Sequence, residues 1–114
     1  HWAHCVGNYE ALLLAKAYGL DAQRLREVLL ACPATNGTLQ AWDTTYLTWQ
    51  EHDMDVVMDL AQTARVTLPL FGQIDQLVKL ITHQDIQDLL YGDKASYLGK
   101  SVATGAALGT TDTN

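Results

Sequence analysis

Four acidic residues, Glu51, Asp53, Asp55 and Asp59, crowd one short stretch, where an acid and base pair would be sought first. On a helix only Glu51 with Asp55, and Asp55 with Asp59, stand four apart and face alike. Like charges there repel by about 0.3 kcal/mol, so the pattern reads as a solvated helix face. His1, His4 and Cys5 carry imidazole and thiol groups that suit zinc, but no second half follows at finger-like spacing, and no metal site is assigned. Cys32 reads as a small core hydrophobe on an apolar helical face, and Met54 and Met58 as core gap-fillers. Neither G-x-G-x-x-G nor G-x-x-x-x-G-K occurs, so no loop is recognisable as a cradle for a nucleotide phosphate.

The elements that must position such groups are helical. Residues 8–18 are rich in strong helix formers, and Gly19 stands where a left-handed cap is wanted. The apolar residues of this segment cover more than one stripe, which predicts burial on several sides. Asp21 is an N-cap by type, and Leu25, Val28, Leu29 and Cys32 keep helical spacing until Pro33, so the two helices form a hairpin. Residues 33–38, with Asn36-Gly37 as the strongest turn signal, read as a loop, and Leu39, Trp42, Leu47 and Trp49 as a partly helical region.

A third helix is expected over residues 51–64, with Met54, Val57, Met58 and Ala61 on its apolar face and acid at its N-terminal end. Residues 66–69 read as an extended connector, and Pro69 opens a fourth helix in which Leu70, Ile74, Leu77, Val78 and Ile81 make an apolar face. Thr82 and Asp85 have capping-box spacing and open a brief fifth helix that ends at Tyr91 before Gly92. Beyond it the composition turns to Gly, Ala, Ser and Thr, which predicts a loosely ordered tail over residues 93–114. With no strand alternation and no βαβ unit, the expectation is an all-α domain of about five helices over residues 1–92.

The 114 residues make one domain, and 48% apolar residues suffice for one core. The net charge of -6 and the scattered basic residues disfavour nucleic acid and anionic membranes as partners. No window reaches the run of about 18 apolar residues that a membrane span needs. Two cysteines and no signal-like segment predict a reduced, cytoplasmic protein.

The segment EALLLAKAYGLDAQRLREVL, residues 10–29, closely resembles the EAL-x-LA-x-x-x-GLD-x-x-x-L-x-x-VL hairpin of the C-terminal helical domain of the β-hydroxyacid dehydrogenases. This family includes 3-hydroxyisobutyrate dehydrogenase and tartronate semialdehyde reductase and is related to 6-phosphogluconate dehydrogenase. The likeness continues in order over residues 8–91. Ala34-Thr35-Asn36-Gly37 falls where the family has a Ser-rich loop, His52-Asp53-Met54 where it has Lys-Asp-Leu, and Leu68-Pro69-Leu70 on its V-P-L-P segment.

The resemblance implies a 6-phosphogluconate dehydrogenase C-terminal-domain-like fold that supplies dimer contacts and one wall of an active-site cleft. It implies Thr35, Asn36, Gly37 and Thr38 as the substrate loop, and His52 and Asp53 as residues near the cofactor, with His52 lacking the reach of the family's Lys. The family's catalytic Lys belongs to a motif upstream of the EAL segment; no residue here matches it, and Lys16 occupies a position the motif leaves free. NAD or NADP is implied for a full-length relative. No cofactor is expected in this chain alone, because a dinucleotide domain of two βαβαβ halves would consume its whole length. The chain by itself is therefore expected to be inactive. The partners expected are a second copy in a homodimer, with Trp2, Trp42 and Trp49 as candidate anchors, and a dinucleotide-binding domain upstream or in trans. The rival reading is a stand-alone helical module for dimerisation or small-ligand binding.

Overall fold

The computed structural model describes residues 1–44 and 47–102. Its longest element is α1 (Trp2–Ala17), which begins six residues before the expected start. Trp2, Cys5 and Val6 continue the stripe of Tyr9, Leu12 and Leu13, and burying them outweighs the low propensity of Gly7. The helix closes in a Schellman turn: Leu20 N–H donates to Ala15 O and Gly19 N–H to Lys16 O, with Gly19 at φ 78°. Asp21 then caps α2 (Ala22–Leu30) by accepting from Gln23 N–H, completing the hairpin.

α2 stops two residues short of Cys32. That cysteine is half-buried in the following turn, its thiol donating to Leu29 O, and does not stand on a helical face as expected. Asn36-Gly37 does not make a simple turn either. Asn36 is the N-cap of a short α3 (Gly37–Gln40), its side chain accepting from Leu39 N–H at 2.8 Å. A 3-10 turn, Trp42–Thr44, then drives Trp42 fully into the core.

α4 (Gln50–Ala64) carries Glu51 and Asp53 in its first turn and ends at Arg65, which takes the left-handed cap position at φ 57°. α5 (Pro69–Leu77) starts on its proline and tightens into a 3-10 turn, Val78–Leu80. The Thr82–Asp85 capping box forms in full and opens α6 (His83–Tyr91).

The expected loose tail begins differently. Ala95–Tyr97 (β1) and Lys100–Val102 (β2) pair antiparallel around Leu98-Gly99, both at positive φ, as a two-residue hairpin turn requires. Three-residue strands are too short for alternation to announce them. Residues 103–114, the rest of that tail, lie outside the described residues. The fold is thus mostly helical, with six α-helices among the described residues and one small hairpin.

α1 is the central element. Tyr9, Leu12, Leu39, Trp42, Ile86 and Leu89 are fully enclosed around it, each contributing about 2 kcal/mol of burial. Two candidate anchors, Trp2 and Trp42, are spent in this core, and only Trp49 stays outside, at 66% exposure.

Candidate functional site

The start of α1 holds two of the expected site residues, Thr38 and Asp53. The Thr38 hydroxyl and His1 Nδ1 share a hydrogen bond of 2.7 Å, whose direction follows the imidazole tautomer. Trp2 Nε1–H donates to the Asp53 carboxylate at 3.0 Å. Since His1 and Trp2 are adjacent, the α3 segment and the first turn of α4 are tied to one end of one helix. Two turns into α1, Asn8 and Asn36 exchange side-chain amide hydrogen bonds of 3.1 and 3.0 Å. Asn36 is therefore held by its cap bond and by α1 together.

A cavity of about 150 Å³ lies beside this junction, with Trp2, Asp53, Val57 and Phe71 in its wall. His52 stands outside it, 70% exposed; its Nδ1 is 3.5 Å from Asp53, and its ring is edge-on to Trp49. Thr35 and Gly37 are exposed, whereas Thr38 is buried. His1 and Thr38 make the contact expected of a base and a hydroxyl nucleophile, but Thr38 is only 6% exposed. What the arrangement offers is hydrogen bonding and shape: an amide, a hydroxyl, a carboxylate and an imidazole on one end of a rigid helix.

The other suggested chemistry disperses. Cys5 faces the core, where burial pushes its thiol up to about 12, while His4 is exposed. Among the described residues no group of three or more His, Cys, Asp or Glu is placed to hold a metal ion. Cys5 and Cys32 are free thiols. Among the described residues no helix is long and apolar enough to cross a membrane.

Three polar features escaped the sequence. Asn8 sits on the buried stripe of α1, three residues from Cys5 and four from Leu12, a spacing that marks a polar residue held inside. Lys16 is buried, and its ammonium donates to Asp88 O, Leu89 O and Gly92 O, closing the C-terminal end of α6. Desolvation lowers its pKa, with Asp88, Asp93 and Asp21 opposing. Tyr9 donates to Ser96 O, and Tyr97 to the Glu10 carboxylate, which fastens the hairpin across α1. Burial raises both phenols well above their ordinary value.

Comparison of the chain with protein-family models, with curated proteins and with solved structures found no match.

Proposed function

We propose that this chain is the C-terminal helical domain of a β-hydroxyacid dehydrogenase-like protein, forming one wall of its substrate cleft and lacking the parts that carry out hydride transfer. The observation that carries the reading is the double tether at the start of α1. Thr38 and Asp53, from the two segments matched to the family's substrate loop and cofactor-proximal motif, bond to His1 and to Trp2 respectively. Hydride transfer needs a cofactor carbon set against the substrate and a group to move the hydroxyl proton. In this reading the cofactor, NAD or NADP, is held by a dinucleotide-binding domain upstream or in trans, and the proton is moved by the Lys of the family's motif upstream of the EAL segment. Asn36 and Thr38 then fix the cleft wall, and the exposed Thr35 and His52 face the cleft.

The test is expression of the reading frame with its upstream coding region, assayed for reduction of NAD and NADP by a panel of 3-hydroxy acids. Turnover that falls with a raised KM in Thr35→Ala and His52→Ala is the expected result. An upstream region without a G-x-G-x-x-G/A segment, together with no turnover, overturns it.

A second reading, a non-catalytic binding module, is favoured by the open cleft of about 510 Å³ between α1 and the hairpin. It predicts a ligand-bound state of the isolated chain without any dehydrogenase partner. In either reading the chain self-associates through apolar side chains left outside, namely Val56 and Leu60 on α4 and Phe71 on α5.

A further inference from the structure

Among the described residues the outer face of α1 is left as an open trough. Ala3, Gly7, Glu10, Ala11, Leu14 and Ala17 recur at helical spacing along its floor. Leu70 and Leu77 of α5 wall its first half, and Tyr97 and Val102 of the hairpin wall its second. The two halves, about 280 and 510 Å³, meet at Glu10. From Ala3 to Ala17 the floor runs about 21 Å at 1.5 Å per residue, straight and parallel to a helix axis, a shape that suits a rod better than a compact molecule. A Cβ on Gly7 would meet nothing within 4 Å among the described residues, so no packing within them accounts for a glycine there, at a cost in helix stability.

The charge of the trough selects the occupant. Glu10 lies seven positions from either end of an otherwise apolar floor and accepts a hydrogen bond from the Tyr97 hydroxyl, which leaves the carboxylate further acceptor sites. An antiparallel second copy centred on this floor would bring Glu10 against its own image, and the chain already carries a net charge of -6. A helix with one Lys or Arg amid apolar residues meets the carboxylate with a cation instead. We infer that the trough along α1 is a docking surface for an amphipathic helix of another protein that places a single basic side chain on Glu10.

The test uses three labelled model helices of about 18 residues, built of Ala and Leu, with Lys, Leu or Glu at the centre of the apolar face; at ~27 Å each spans the floor. Binding to the full chain is followed by fluorescence anisotropy and by amide shifts. The Lys helix is expected to bind about ten-fold more tightly than the Glu helix, and Glu10→Gln to erase that preference. Binding of the Lys helix to the unsubstituted chain should shift the amides of Gly7, Ala11 and Leu14, and Ala11→Trp and Gly7→Leu, which fill the floor and are checked for folding by circular dichroism, should each abolish it. Equal binding of the three helices, or binding that survives both filled variants, overturns the proposal. So does a concentration-dependent shift at Gly7 and Ala11 without peptide, which makes a second copy the occupant. Tight binding of decylamine that excludes the Lys helix would make the trough a small-molecule site and overturn it as well.

Discussion

At the residue scale the buried titratable groups set the response to alkali. Burial raises Cys5 to about 12 from 9.0, and Tyr9 and Tyr97 above their ordinary 10.0. Each keeps its proton in the folded chain at a pH where the unfolded chain has released it. The stability these groups contribute is therefore complete below pH 9.0 and is lost as pH rises through the folded values. Lys16 runs the other way: its folded value lies below 10.5, so stability is gained as pH climbs from that value toward 10.5. With three groups against one, the denaturant midpoint should fall from pH 9.0 upward, and Cys5→Ala should delay the onset toward the tyrosine range at 10.0. An unchanged midpoint between pH 8 and 11 would contradict these burial effects. Lys16→Met removes the donor to three carbonyls at the end of α6 and should cost about 2 kcal/mol in chemical unfolding.

At the element scale the decisive short element is α3. Asn36 holds it through the cap bond to Leu39 N–H and the paired amide bonds to Asn8. Asn36→Ala removes both and should cost about 2 kcal/mol, whereas Asn36→Asp keeps the cap and should lose about half as much. Urea unfolding of the two variants checks the difference, and equal losses would show that the hydrogen bonds donated by the Asn36 amide carry all of it. Thr82→Ala, which opens the capping box of α6, should cost about 1 kcal/mol by the same measurement.

At the scale of the whole molecule, the apolar surface left by α4 and α5 predicts association. Leu60 is 65% exposed, and Phe71 is 40% exposed. Sedimentation equilibrium should show a dimer at micromolar concentration, and Leu60→Asp with Phe71→Asp should return it to monomer, because a charge buried there has no partner. A strict monomer in the unsubstituted chain across that range would remove this association. The dimer test is independent of the trough, whose variants lie on α1 and should leave association unchanged.

What the sequence determined by itself is local. Gly19 and Asp21 end and begin helices through bonds within a few residues, as do Pro69 and the Thr82–Asp85 box, so their signals are legible without knowing what packs on them. The elements expected from apolar period also formed, with boundaries off where the last turn depended on neighbours: α1 gained residues 2–7 because Trp2, Cys5 and Val6 find a core, and α5 gave way to a 3-10 turn at Val78. Only the tertiary structure decided what Lys16, Asn8 and Glu10 do. Lys16 meets carbonyls more than 70 positions away, Asn8 meets Asn36, and Glu10 meets Tyr97 across the chain. A polar side chain looks the same in sequence whether it is solvated or bonded inside, because its partner is chosen by the packing of distant elements. The candidate site divides in the same way: its residue types stand in the sequence, while the approach of Thr38 and Asp53 to the start of α1 depends on where α3 and α4 come to rest.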